Sequence, residues 1–267
     1  SERFPRFLRF PAYLFYQVSL KQLLKIADAV FTVNREMEKQ LLSGNKRITS
    51  IVLPNYPVKN VWDYECNMPG SLEQICEMNF DFIYIGGLTE DRGVFKILKM
   101  VSILKQDFPF LKVLIVGKFF KKEVEQRFNQ SINDYNLNAL IYYQSWIPAE
   151  KIGLLLKRSK FGLWIFNPKN KRLQLSTPLK VLEYLAAGLP VLTIKTPIMK
   201  ALIEKNGLGI CSAYQSKALA DACAKLLNLK QSEYQAMSDK CIKLTENKFN
   251  WEALEPELFK IINGLNS

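Results

Sequence analysis

The chain has 267 residues, 48% of them hydrophobic, which is ample material for one or two packed domains. Its 37 Lys and Arg against 25 Asp and Glu give a net charge of +12, which favours an anionic partner: nucleic acid, an anionic membrane or a phosphorylated small molecule. No histidine is present, so the commonest general base and metal ligand are both missing. The five cysteines (Cys66, Cys76, Cys211, Cys223, Cys241) are widely spaced with no C-x-x-C pair, which points away from a disulfide framework or a zinc site. No run of about eighteen apolar residues and no leader-like start is seen, and the expectation is a soluble cytoplasmic chain.

The opening, Ser1 to Leu20, mixes Arg3, Arg6 and Arg9 with Phe4, Phe7, Phe10, Tyr13, Phe15 and Tyr16. That combination suits an anionic membrane surface, although Pro5 and Pro11 weaken a continuous amphipathic helix and a segment crossing its own domain fits as well. Helical spacing follows over Leu20–Ala27, a strand over 29–33, a helix over Arg35–Leu42 stopped by Gly44, and a second strand over Ile48–Leu53. This αβαβ run has too few strands for a domain. Residues 58–79 lack a firm period and hold Asn67-Met68-Pro69-Gly70, which places a linker there.

A second α/β unit then begins. Strands are expected at Phe80–Ile85, Leu111–Val116, Leu140–Tyr143, Phe161–Phe166, Val191–Ile194 and Gly209–Cys211. Helices alternate with them at Val94–Leu104, Lys121–Asn136, Ala149–Arg158, Ile198–Glu204 and from Ser216 onward. Nearly unbroken apolar strands separated by helices imply an α/β fold with a Rossmann-like, doubly wound parallel sheet. Ligands of such sheets bind at the carboxyl ends of the strands.

At that edge the stretch from Ser176 to Pro190 reads as a helix whose first turn suits an anion. Thr177 is placed as N-cap and Pro178 as first helical residue, with Gly188 and Pro190 closing the far end. Leu179, Leu182, Leu185 and Ala186 form a core stripe. Lys180 in the first turn opposes the helix macrodipole unless an anion is bound there. Glu183, three residues on, suits a vicinal diol such as ribose, and an ordinary i,i+3 Lys–Glu surface pair fits the same spacing.

Gly86-Gly87 followed by Arg92-Gly93 allows close backbone approach and a guanidinium fork, without matching G-x-G-x-x-G or the P-loop. A tight strand-to-helix turn is the simpler meaning of those residues taken alone. The Gly117-Lys118 corner and the cationic loop Asn167–Arg172 fall at the same edge, and Trp146 with Ile147 can wall a base pocket. No D-x-D pair is found to hold a diphosphate-bound metal, so no metal and no cofactor are expected. Nucleic acid is not expected either, for want of a basic-aromatic platform with module spacing.

Taken in order, Ala27–Asn34, Leu53-Pro54-Asn55, Tyr84–Gly93, Val113–Gly117 and Pro178–Val191 resemble the C-terminal half of a GT-B fold glycosyltransferase of retaining family four, group 1. The resemblance implies transfer of a hexose from a UDP- or GDP-sugar to a glycan or lipid-linked acceptor in surface polysaccharide synthesis, without metal, at the inner face of a membrane. It implies that Gly86, Gly87, Arg92, Gly93, Lys118, Trp146, Ile147, Thr177, Pro178, Leu179, Lys180 and Glu183 bind the donor. Glu183 matches the second carboxylate of the E-x7-E motif, while the first falls on Leu175 and the glycine-loop arginine on Gly87. It further implies a remnant of an acceptor-side domain over 1–60, a linker over 61–75, a donor domain over 76–249 and a crossover helix over 250–267. The expectation that follows is a fragment of a larger enzyme or a degenerate relative that binds donor without transferring it, with a complete non-enzymatic binding module as the competing reading.

Overall fold

The computed structural model describes residues 6–42, 48–59, 71–174 and 177–265. Two compact units emerge: Ser1–Asn55 with Leu254–Ser267, here unit 1, and Tyr56–Ala253, here unit 2. Asn67–Gly70, Gly44 and Leu175 lie outside the described residues.

In unit 1, a 3-10 turn at Arg6–Leu8 leads into α1 (Arg9–Ile26), followed by β1 (Ala29–Thr32), α2 (Arg35–Leu42) and β2 (Thr49–Val52). The closing helix, Glu255–Leu265, belongs to the same unit. The helix expected from Leu20 in fact starts at Arg9, and Pro11 does not interrupt it. Pro11 falls in the first turn, where the missing N–H would have had no intrahelical acceptor. Asn34 caps α2, its Oδ1 accepting from Met37 N at 2.7 Å. The two strands pair in parallel from Ala29↔Thr49 to Thr32↔Val52. Among the described residues of this unit only Leu24, Thr32 and Ile51 are buried.

Unit 2 opens with α3 (Ser71–Glu77), a helix inside the stretch read as aperiodic. Then come β3 (Phe80–Ile85), α4 (Val94–Leu104), β4 (Val113–Val116), α5 (Lys122–Asp134), β5 (Ile141–Gln144), α6 (Ile152–Lys157) and β6 (Ser159–Trp164). The second half runs α7 (Lys171–Gln174), α8 (Leu179–Ala186), β7 (Val191–Ile194), α9 (Pro197–Met199, continuing as a π-helical stretch Lys200–Glu204), β8 (Gly209–Ser212), α10 (Ser216–Leu227) and α11 (Gln231–Lys248). All six strands are parallel in the order β5-β4-β3-β6-β7-β8. The expected doubly wound α/β sheet is what forms.

The strands stay parallel and central because their side chains are apolar on both faces: every residue of β4 and of β7 is buried. Strand order runs outward from β3 through β4 and β5, and from β6 through β7 and β8 on the other side. The reversal therefore lies between β3 and β6, and in sheets of this kind ligands bind at the carboxyl edge beside such a point. β6 sits two residues earlier than expected, because Phe80 pairs with Ser159. Ile165 and Phe166 are buried but already beyond the strand.

Candidate functional site

At the reversal point β3 and β6 stop pairing before either strand ends. Their register holds from Phe80↔Ser159 to Ile83↔Gly162, so Ile85 has no β6 partner for its amide and carbonyl. Two side chains of α8 take that place. Ile85 N donates to Tyr184 Oη at 2.8 Å, and Lys180 Nζ donates to Ile85 O at 2.6 Å. Tyr184 can reach because Gly162 leaves room for its ring: a Cβ there would lie 2.4 Å from Tyr184 Cδ2. The first turn of α8 is thereby pinned against the end of β3.

The chain then turns through Gly86 at φ +148, where an added Cβ would fall 2.0 Å from Lys180 Nζ. Gly117, at φ +154 after β4, packs just as closely, its Cβ position 1.8 Å from Gly86 O. Only glycine fits at either crossing. Tyr84 Oη donates to Gly87 O at 3.1 Å and steadies the turn. Arg92 Nη1 lies 3.6 Å from the Cβ position of Gly86 and 3.1 Å from that of Gly87. Two cations, Lys180 and Arg92, thus converge on the glycine pair.

Burial and like charge dominate the electrostatics of this cluster. Burial and the Arg92 guanidinium push Lys180 from 10.5 to about 8, against a smaller opposing pull from Glu183. Burial raises the Glu183 carboxyl, partly offset by Lys180. Lys180 lies over the Trp164 ring at 5.0 Å and the Tyr84 ring at 5.7 Å, so aromatic faces share the load. Its ammonium goes to a carbonyl instead of forming the Lys–Glu surface pair. Neither the Arg92 guanidinium nor the Glu183 carboxylate finds a hydrogen-bond or ion-pair partner among the described residues. A bound anion would relieve the repulsion between the two cations, and a diol would satisfy the carboxylate.

α8 itself differs from expectation at its start. Pro178 is extended (ψ 138) and forms the N-cap, with no side-chain cap, so Thr177 stands outside the helix and exposed. The helix has eight residues, two turns where about three were expected. The far end is as read: Gly188, at φ +76, receives the chain, with Leu189 N bonding Tyr184 O at 2.9 Å. The core stripe is Val181, Leu182, Tyr184 and Leu185, while Leu179 is partly exposed toward solvent.

Of the other expected residues, Gly93 serves its turn: it is left-handed at φ +71 and packs on Ile165 O. Ile147 is buried, whereas Trp146 is exposed with Lys118 Nζ over its ring at 5.6 Å. Lys169, Lys171 and Arg172 are a solvated face, and their loop is tied to the glycine turn through Asn167 N→Asp91 O at 2.7 Å and Asn170 Nδ2→Asp91 Oδ2 at 3.3 Å. Sequence reasoning missed Tyr84, Trp164 and Tyr184, which hold Lys180 and the turn in place. Their apolar neighbours marked them as core only.

The sequence model described as glycosyl transferases group 1 matches residues 73–247, more than half of the chain. The chain belongs to the group 1 glycosyltransferases. It is 29% identical over 123 residues to the UDP-glycosyltransferase TURAN of Arabidopsis thaliana, covering 45% of this chain and 24% of that protein. It is 23% identical over 175 residues to the chitobiosyldiphosphodolichol beta-mannosyltransferase of Kluyveromyces lactis, covering 64% and 37%. This glycosyltransferase chain therefore spans well under half the length of these curated relatives. Among solved structures, Anabaena Alr3699/HepE in complex with UDP-glucose matches with TM-score 0.72 at 14% identity, over 93% of this chain and 67% of that one. The pneumococcal O-GlcNAc transferase GtfA in complex with UDP and GlcNAc matches with TM-score 0.70 at 13% identity, over 94% and 47%. At such identities these two establish the shared GT-B fold alone.

Proposed function

We propose that unit 2 binds the diphosphate of a nucleotide sugar at Gly86, Arg92, Lys180 and the leading amides of α8, with Glu183 on the ribose and Trp146–Ile147 beside the base. The observation that carries this is the convergence of Lys180 and Arg92 on a glycine pair that backbone sterics keep open. The complete enzyme, on this reading, transfers a hexose to a glycan or lipid-linked acceptor in surface polysaccharide synthesis. The cations and the helix end would stabilise the leaving diphosphate without a metal. For these 267 residues alone the reading is donor binding without transfer, since holding an acceptor hydroxyl in line is worth several kcal/mol and every donor group named here lies on one unit.

No described helix is long and apolar enough to cross a membrane. Contact with the inner face of an anionic membrane would use α1, which exposes Phe10, Tyr13, Phe15 and Tyr16 and carries no acidic residue. Retention at the anomeric carbon follows from the family resemblance. The Kluyveromyces relative, named as a beta-mannosyltransferase, supports a second reading with the opposite outcome. Comparing the anomer of product and donor by NMR separates the two.

Calorimetric titration with UDP and GDP tests the donor site. The wild-type chain is expected to bind at least one, and Lys180→Ala or Arg92→Ala to weaken it by roughly tenfold or more, the size of a charge-assisted hydrogen bond. Glu183→Ala is expected to act on nucleotides and not on inorganic pyrophosphate. Equal affinity across all four proteins would remove the reading. Turnover lost in chelator and restored by manganese would remove its metal-free part.

A further inference from the structure

We propose that Phe120 contributes to donor binding by offering its ring to the nucleoside half of the nucleotide sugar, an inference that rests on the donor-site reading above. Unit 2 hides its large apolar side chains well: among its described residues only Val58, Phe110, Phe120, Trp146 and Leu179 are exposed. Three of these five, Phe120 (71%), Trp146 (60%) and Leu179 (39%), sit on three separate segments at the carboxyl edge of the sheet, where the cations converge. Phe110 lies at the opposite edge, ahead of β4. Clustered exposed apolar surface beside polar groups marks a place that a ligand covers.

The backbone dictates where the Phe120 ring goes. Pairing continues past the ends of β3 and β4, with Leu88 N donating to Lys118 O at 2.9 Å and an isolated bridge between Leu88 and Phe119. Phe119 turns inward onto Phe128 and Tyr143, at ring-centroid distances of 5.2 and 5.5 Å. The alternation of an extended segment then sends Phe120 outward. Its ring settles over Gly87, where an added Cβ would lie 2.5 Å from Phe120 Cε2 and 3.1 Å from Arg92 Nη1. The missing side chain at 87 is thus the space in which ring and guanidinium meet. One edge of the ring borders the cation cluster, and the rest faces solvent.

Strand order places the loop after β4 between the loop after β3 and the loop after β5. Neighbouring strands lie about 4.8 Å apart, so a ledge of roughly 10 Å runs from Trp146 past Phe120 to Gly86–Gly87. Lys118 spans part of it, over the Trp146 ring. The ledge is aromatic at one end and cationic at the other. A nucleoside diphosphate has the same polarity, flat base at one end and phosphates at the other. The transferred sugar leaves the diphosphate on the side away from the nucleoside, so with the phosphates on Arg92 and Lys180 only one of the two can lie along this ledge. Its flat apolar faces match the base.

Titrating the 267-residue chain with inorganic pyrophosphate, UDP, GDP and UDP-glucose, as wild type, Phe120→Ala and Phe120→Tyr, tests this. Phe120→Ala is expected to weaken UDP and GDP on the order of tenfold, the worth of one base on one aromatic ring. Pyrophosphate affinity and the ratio of UDP-glucose to UDP affinity stay unchanged, and Phe120→Tyr restores binding. A loss shared equally by pyrophosphate, a loss confined to UDP-glucose, or no loss at all would each overturn the inference. If the wild type binds neither UDP nor GDP, the donor-site reading falls and takes this one with it. If Lys180→Ala weakens UDP while Phe120→Ala does not, this inference falls alone. Because Phe120 is exposed, its truncation opens no core cavity, and an unchanged melting curve confirms that the variants fold.

Discussion

The two units handle apolar surface in opposite ways. Unit 2 covers a six-stranded parallel sheet with helices and keeps its exposed apolar groups mainly to the rim of the site. Unit 1 has a two-stranded parallel sheet and leaves Phe7, Phe10, Tyr13, Phe15 and Ile26 largely in solvent. Parallel strands need both faces covered, and a two-stranded sheet offers too little area to close a core. Fixed geometry for a charged site needs packed support behind it. Lys180, pinned between Ile85 O and the Trp164 ring, has that support, whereas α1 holds a single buried side chain, Leu24, among its described residues.

Truncating one core residue in each unit gives the largest expected contrast. Phe82 on β3 is fully buried, its ring 5.3 Å from that of Phe161, and Phe82→Ala is expected to cost unit 2 about 3–5 kcal/mol. Trp146, Trp164 and Trp251 fall within unit 2, so tryptophan fluorescence in a urea titration follows that unit. Leu24→Ala is expected to leave the transition where it was. Equal displacement by both substitutions would make the units one cooperative body.

A smaller loss sharpens the same contrast at the site. Tyr184→Phe keeps the ring against Gly162 but strands the Ile85 amide without its acceptor. The expected cost is about 1–3 kcal/mol, together with faster hydrogen exchange at Ile85. Unchanged exchange there would mean that the hydroxyl does not hold the end of β3.

Much of unit 2 was legible from residue order. β3, α4 and β7 have the expected limits, because long apolar runs and a 3.6-residue period leave little choice. α3 was not legible: seven residues with a single buried side chain, Cys76, among those described carry no period. The start of α1 is hidden because proline breaks a helix everywhere except in its first turn, where Pro11 stands. At the site, the glycine pair, Arg92, Lys180 and Glu183 stood out by type and position. Their convergence could not be read, since the Lys180–Ile85 contact joins residues 95 apart in the chain. Thr177-Pro178 suggested a cap followed by a first helical residue. The extended ψ of Pro178 shifts the helix by one position and turns Leu179 from core to rim. Phe120 gave no signal, because what matters is the space above Gly87.

The smallest expected effect is a pH dependence confined to the packed unit. Lys180 faces Arg92 and Tyr84 from the glycine turn and its strand, Trp164 from β6, and Glu183 on its own helix. Together with burial, these surroundings hold it at about 8 in the empty site, against 10.5 in an unfolded chain. Between those values the unfolded chain binds the extra proton, so the stability of empty unit 2 rises with pH there; below about 8 both states are charged and this contribution is flat. Ligand binding has the opposite sign. A diphosphate favours the ammonium and raises its pKa, so binding takes up a proton near pH 8 and above, and affinity falls by up to tenfold per pH unit as pH climbs past 8. Calorimetry at pH 8.5 in two buffers of different ionisation enthalpy measures that uptake directly. Lys180→Arg, which cannot lose its proton in this range, is expected to keep affinity nearly level across the same window. An identical pH profile for wild type and Lys180→Arg would mean that the ammonium of Lys180 is not what the phosphate meets.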